Sequence, residues 1–227
     1  MGSKRRLAPE LMKIVLKNRK ENQYYVEPFM GGCNMLSEVT GNRIGNDYNE
    51  YIAEMWNALV NKNWIPPHSI SEIEYNDIKK NKNNYPKELV GFTGVAVTFG
   101  SKWFGTYARN KRGTNYAMEG RENLLKQIEK LKGVIFKSVS YNELIIPPNS
   151  IIYNDPPYFG VAGYKDKFDH NKFWQWCREK SLEGHEVYTS EYNAPDDFEC
   201  IWSHNLKTNM DAKCEVISIE KLFKYKG

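Results

Sequence analysis

Ile151-Ile152-Tyr153-Asn154-Asp155-Pro156-Pro157-Tyr158 decides the fold, because an apolar run ends abruptly in a carboxylate, two prolines and an aromatic ring. A short apolar and β-branched run bounded by turn residues reads as a buried strand. Neither proline can donate to a sheet ladder, so the strand has to stop here and leave Asp155 and Tyr158 projecting from its C-terminal edge. Ligands of open α/β sheets bind at that edge. The missing donors also leave the Asp155 and Pro156 carbonyls outside the ladder. A planar amine could then give one hydrogen to the Asp155 side chain and the other to the Pro156 carbonyl. Pro157 adds rigidity, and Tyr158 offers a face on which the ring carrying the amine can stack. The same residues would also make an ordinary turn after a strand, so the rest of the chain has to choose.

Upstream, Tyr24-Tyr25-Val26-Glu27-Pro28-Phe29 reads as a second short strand running into Met30-Gly31-Gly32-Cys33-Asn34. The expected order is strand, glycine turn, helix. Gly31 and Gly32 would let the backbone approach a ligand, and a helix start beyond them would offer N–H groups to an anionic group such as a carboxylate. The spacing is neither the dinucleotide G-x-G-x-x-G pattern nor a Walker loop with its lysine, so a pyrophosphate ligand is disfavoured. Arg43-Ile44-Gly45-Asn46-Asp47 reads as the next strand, ending in an acid where α/β nucleotide sites place a carboxylate on ribose hydroxyls. Asp47 could equally belong to a turn-forming Asn-Asp pair.

With these stretches in order, the chain resembles the S-adenosylmethionine-dependent DNA adenine-N6 methyltransferases of the Dam type, particularly their short phage and prophage forms. Gly2-Ser3-Lys4-Arg5 before an amphipathic helix is similar to the family's N-terminal cofactor motif, and Glu27-Pro28-Phe29 with Gly31-Gly32 to its cofactor loop. Asp47-Tyr48-Asn49 resembles the ribose-binding motif and Asp155-Pro156-Pro157-Tyr158 the catalytic one. Phe168-Asp169-His170 with Phe173 resembles the helix start that follows. The resemblance implies S-adenosylmethionine as cofactor, contacted by Lys4, Glu27, Pro28, Phe29, Gly31, Gly32, Asp47 and Asp155. It implies double-stranded DNA as partner, a flipped target adenine, and a short palindrome such as GATC. Where the family often has Asp-Phe near the cofactor adenine, this chain runs from Val134-Ile135-Phe136 to Ser138-Val139-Ser140-Tyr141, so Ser140 and Tyr141 take that place. Enzymes that methylate cytosine N4 or a protein glutamine amide use the same local geometry. A DNA-binding module that kept the fold without catalysis is a third possibility.

At 227 residues and 41% apolar content, the chain can bury one good core and a smaller lobe. Its formal charge of +4 permits a polyanionic partner without requiring one. Distribution is more telling than the total. Lys102, Arg109, Lys111 and Arg112 cluster in one segment and are interleaved with Trp103, Phe104, Tyr107, Asn115 and Tyr116. Such a mixture supplies phosphate contacts, stacking faces and amide readers for DNA. Cys33, Cys177, Cys200 and Cys214 have no metal-ligand spacing and are expected as buried free thiols; His68, His170, His185 and His204 are equally scattered. No metal is expected. No apolar stretch reaches about 18 residues, and no signal-type hydrophobic segment follows the basic start, so a cytoplasmic protein is expected. Its oligomeric state, monomer or weak dimer, is left open.

The predicted architecture is α/β: a Rossmann-like methyltransferase sheet flanked by helices, with an inserted, mainly helical DNA-recognition lobe containing a hairpin or loop. The expected catalytic unit is 1–62 with 133–227, and the insert is 63–132. Helices are expected over Leu7–Arg19, from Asn49, and over Asn171–Leu182, and a hairpin over Lys207–Lys224.

Overall fold

A computed structural model describes the chain over residues 4–159, 168–211 and 214–227, with side chains described except at 206–218. Its centre is a seven-stranded sheet in the order β3-β2-β1-β4-β5-β7-β6. The strands are β1 (Tyr25–Glu27), β2 (Arg43–Asn46), β3 (Val134–Lys137), β4 (Ile151–Asn154), β5 (Glu186–Glu191), β6 (Phe198–Asp211) and β7 (Cys214–Tyr225). The first five are mutually parallel, whereas β7 runs antiparallel to β5 and β6 antiparallel to β7. All residues of β1, β2 and β4 are buried, as expected of parallel strands covered on both faces. The Rossmann-like α/β sheet flanked by helices that is expected from the sequence is thus present. Strand order reverses between β1 and β4, which makes their C-terminal ends the switch point where ligands of such sheets bind.

Helices α1 (Ala8–Val15), α2 (Glu50–Asn61) and α7 (His170–Leu182) cover the sheet. Asn49 caps α2 by accepting from the Tyr51 N–H at 3.1 Å, and Asp169 caps α7 by accepting from Lys172 at 3.0 Å. Three boundaries differ from expectation. Helix α1 stops at Val15 and not at Arg19, because the Lys17-Asn18-Arg19 stretch has no apolar face to bury. The Arg19 guanidinium instead donates to the carbonyls of Gln23, Thr40 and Asn42. No α-helix follows the glycine turn. The turn uses φ values of +42° at Gly31 and +52° at Cys33, and what remains before β2 forms only a 3₁₀ turn at Leu36–Glu38. The hairpin starts at Phe198 and not Lys207, because a register shift between Cys200 and Trp202 interrupts the alternation that marks a strand.

Between α2 and β3 lie α3 (Glu72–Lys80), α4 (Lys87–Ala96), α5 (Tyr116–Leu125) and α6 (Ile128–Leu131). A capping box at Ser71 and Glu74 starts α3. Tyr75, Ile78, Val90 and Phe92 of these helices share one buried core with Leu11 of α1, Trp56 of α2 and Ile151 of β4. The segment 99–112 is tied down by an isolated bridge between Thr98 and Tyr107 and by the buried Phe104 and Ala108. Cys33 and Cys177 are buried as expected, but Cys200 is exposed, since the irregularity that starts the hairpin turns it outward; the Cys214 side chain lies outside those described.

Candidate active site at the sheet switch point

Glu27 ends β1 and Asp155 follows β4, so the two acids flank the switch point, with Pro156 buried beside them. The N-terminal 3₁₀ turn Lys4–Arg6 folds back onto this edge and buries Lys4. The Lys4 ammonium donates to Glu220 Oε2 at 2.6 Å and to the Tyr158 hydroxyl, lies 3.5 Å from Asp155 Oδ1, and sits 4.7 Å from the centre of the Tyr158 ring. The Tyr158 hydroxyl donates in turn to Glu220 at 2.9 Å, and its ring meets Tyr192 edge-on at 4.7 Å. Gly2 and Ser3 of the N-terminal motif lie outside the described residues.

Carboxyl groups outnumber ammonium groups in this corner, and burial dominates their titrations. Burial pushes the Asp155 carboxyl above its usual range, against the pull of Lys4. Burial pulls the Lys4 ammonium down, but Asp155 and Glu220 more than offset it and hold it above the ordinary lysine value. Glu27, buried and accepting from the Tyr25 hydroxyl at 2.8 Å, is raised well above the carboxylate range by the same desolvation. Glu191, at the end of β5, is also buried and raised; it accepts from the N–H of Phe159 at 3.1 Å and of Tyr192 at 2.7 Å, fixing the backbone just after Tyr158.

The glycine loop is clamped from both sides. Asp47 accepts from the Gly31 N–H at 3.1 Å and the Asn49 N–H at 2.9 Å, while Trp56 of α2 donates to the Gly31 carbonyl at 2.9 Å. The helix start expected beyond the glycines to meet an anion does not form, and the Gly31 N–H is committed to Asp47. Burial pushes the Asp47 carboxyl up to about 6, with those two N–H groups opposing the shift. Gly45 packs closely under Leu36 and Met30: a Cβ there would stand 2.6 Å from Leu36 Cδ1 and 2.8 Å from Met30 Sδ, so those side chains would have to shift. Asn46, buried next to Asp47, donates to the carbonyls of Pro28 and Val139 and accepts from the Val139 N–H, tying together the ends of β1, β2 and β3.

Those ends converge on an aromatic cluster. Phe29 lies 5.5 Å from Tyr141 and 5.8 Å from Phe168, and Phe173 of α7 packs 5.7 Å from Phe29 and 5.6 Å from Tyr141. The neighbouring Ser140 hydroxyl is bonded to Asn142. The sequence thus brings Lys4, Glu27, Pro28, Phe29, Gly31, Gly32, Asp47, Ser140, Tyr141 and Asp155 to one edge from four strand ends and the N-terminal turn. Residues 1–102 match the family model of D12 class N6 adenine-specific DNA methyltransferases. The D12 methyltransferase match takes in Lys4, the glycine loop and Asp47, in agreement with the Dam-type resemblance, and ends before Asp155. A solved structure of SMU.472, assigned as a methyltransferase and complexed with SAH, overlays on 99% of this chain at 11% identity with a TM-score of 0.41. The chain spans about half of that protein's length, 52%.

The same sheet edge also contains residues that the motifs did not point to: Glu220, Glu191, Trp56 and Asn46. Only the Asn46-Asp47 pair carried a local signal, as a turn. In the basic segment, Lys102, Arg109, Lys111, Arg112 and Asn115 are exposed, and Tyr107 and Tyr116 are half-buried. Several have structural partners. Arg109 pairs with Glu72; the Tyr107 hydroxyl donates to the Ile70 carbonyl; Asn115 caps α5 and donates to the His68 carbonyl. Two of the expected stacking faces are not exposed: Phe104 is buried, and Trp103 stacks on Tyr51 at 5.9 Å, because packing α4 against the loop uses both rings. No helix among the described residues is long and apolar enough to cross a membrane, and no described group of His, Cys, Asp and Glu is arranged to hold a metal.

Proposed function

We propose that the protein transfers a methyl group from S-adenosylmethionine to N6 of a flipped adenine in double-stranded DNA, with a short palindrome such as GATC as target. The observation that carries this reading is the Asp155 carboxylate at the switch point, followed in the chain by the buried Pro156 and by Tyr158, with the Lys4 ammonium 3.5 Å from the carboxylate and 4.7 Å from the Tyr158 ring centre. The side chains fit the cofactor. Asp155 and Glu220 share the single ammonium of Lys4, and an acid-rich corner suits a cationic sulfonium. When bound, S-adenosylmethionine supplies a methyl on an excellent leaving group, so the protein has only to position and polarise. Gly31 and Gly32 give close backbone approach, Asp47 offers a carboxylate to ribose hydroxyls, and Phe29 with Tyr141 offers apolar faces to the cofactor adenine.

The exocyclic amine of adenine is a poor nucleophile because its lone pair is spread into the ring. Accepting one hydrogen at Asp155 and the other at the Pro156 carbonyl favours a pyramidal nitrogen with its lone pair aimed outward. A carboxyl raised by burial is also a stronger base than an ordinary aspartate, which suits Asp155 to take the proton released as the N–C bond forms. Tyr158 recovers part of the stacking lost on flipping, about 1–3 kcal/mol for a base on an aromatic side chain. The deciding test is nucleoside analysis of unmethylated DNA incubated with the protein and S-adenosylmethionine. N6-methyladenine is expected, formed equally well with chelator present. N4-methylcytosine, label on a protein glutamine, or DNA binding without transfer would each overturn this function.

Cofactor binding should depend on pH through Asp47. Its folded carboxyl titrates near 6, so it is ionised above that pH and neutral below. Ribose hydroxyls donate best to the ionised form. Affinity for S-adenosylmethionine should therefore hold above pH 6 and fall toward a limit of about tenfold by pH 5. Asp47→Asn should bind more weakly at neutral pH and lose most of that slope in calorimetric titrations; an unchanged slope would remove Asp47 from the ribose role.

For DNA, Arg112→Ala should weaken binding more than Arg109→Ala, since Arg109 must first leave Glu72. If Arg112 reads a guanine edge, specificity at one base pair should relax by about 1–3 kcal/mol. If it, like Lys102 and Lys111, meets phosphate, affinity should fall for all sequences and the salt slope flatten. Filter binding at several salt concentrations separates the cases, and no change in either variant would move recognition elsewhere.

A further inference from the structure

We infer that Glu220 is a positioning residue of the site: its carboxylate holds Lys4 and Tyr158 in place and keeps the Lys4 ammonium off Asp155. The inference rests on the catalytic role proposed for Asp155. Lys4 stands between two acids but is shared unequally. It makes a full charge-assisted hydrogen bond of 2.6 Å to Glu220, whereas 3.5 Å to Asp155 Oδ1 is outside good hydrogen-bond distance. The Lys4 and Glu220 side chains are only 7% and 11% exposed, so water cannot readily replace either partner.

Removing the charge of Glu220 would leave a buried ammonium with Asp155 as its nearest acid. A shift of about 1 Å would convert the long contact into a direct ion pair. Asp155 would then have one oxygen occupied and its basicity lowered, and that carboxylate is the group needed to accept the amine hydrogen. Glu220 also accepts from Tyr158 at 2.9 Å, a hydrogen bond that the amide oxygen of Gln can keep, so Glu220→Gln isolates the effect on Lys4.

The fold gives Glu220 a rigid base. Its neighbour Leu222 pairs with Ser190 of β5, and Glu220 itself pairs with His204 of β6. Trp202 of β6 donates to Glu10 of α1 at 2.8 Å, so the hairpin grips the N-terminal segment at a second point. The C-terminal hairpin therefore completes a centre whose other members come from the first, fourth and fifth strands and the N-terminal turn.

The test combines a direct view of Lys4 with a rate. In protein labelled with ¹⁵N-lysine, the Lys4 ammonium signal, assigned by its loss in Lys4→Met, should shift in Glu220→Gln. Single-turnover methyl transfer by Glu220→Gln should fall about tenfold or more, with S-adenosylmethionine affinity within about threefold of wild type. In the Lys4→Met background the same substitution should cost less than about threefold, because the group it acts through is gone. An unmoved Lys4 signal, an unchanged rate, equal losses in both backgrounds, or a parallel loss of cofactor affinity would each overturn the inference. If the wild-type protein transfers no methyl to DNA, the proposed function fails, and the Lys4 signal alone still decides what holds the ammonium.

Discussion

Asp155→Ala is expected to lower methyl transfer by about a thousandfold or more while S-adenosylmethionine binding weakens far less. Two contributions disappear together: the acceptor that orients the amine, and the base that takes its proton. Each is typically worth two or more orders of magnitude. The fold should survive, because Lys4 keeps Glu220 at 2.6 Å and the substitution removes a carboxyl that burial already disfavours as an anion. Asp155→Asn should be nearly as inactive, since its amide presents a donor or an uncharged acceptor where a basic oxygen is needed. Single-turnover rates with labelled cofactor, beside calorimetric cofactor binding, check both statements. Near-normal turnover in either variant would end the proposed mechanism.

Gly91→Ala is expected to lower the thermal midpoint by about 5–10 °C, although Gly91 lies inside α4, where alanine is intrinsically the better helix former by about 1 kcal/mol. A Cβ at this position would stand 2.1 Å from the Tyr51 carbonyl oxygen and 2.9 Å from Met55 Cβ. The obstacle is backbone of α2 and cannot rotate away, so the helices must separate. Overpacking of this kind costs about 1–3 kcal/mol or more, and in a chain of this size each kcal/mol moves the midpoint by about 2–4 °C. Because Asn49 and Trp56 of the same helix region support Asp47 and Gly31, cofactor affinity should fall as well. A midpoint that stays level or rises would mean that the two helices do not pack at backbone contact.

The strands that build the edge were legible because their signals are local. Ile151-Ile152-Tyr153 is halted by two prolines, and Tyr25-Val26-Glu27 is halted by a proline and two glycines. Helix starts at Asn49 and Asp169 were legible for the same reason, since a cap acts within three residues. The missing helix after Gly31 was not, because positive φ at Cys33 is decided by the packing around it and not by the identity of the residue. Phe104 and Trp103 looked like stacking faces in a basic segment. A sequence does not say which aromatic rings a neighbouring helix will bury.

The sequence by itself determined which chemistry could be assembled: a carboxylate, a proline carbonyl and an aromatic ring at one strand end, a glycine turn at another, an acid at a third, and a lysine near the start. Each depends on residues a few positions apart. Only the tertiary structure decided that Glu220, more than two hundred residues from Lys4, takes that lysine's short hydrogen bond, that Glu191 fixes the backbone after Tyr158, and that Trp56 clamps the glycine loop. The physical reason is that an isolated Glu or Trp has no preferred partner along the chain. Burial removes water as the alternative, and a buried charge must then find whatever opposite charge the fold brings within reach.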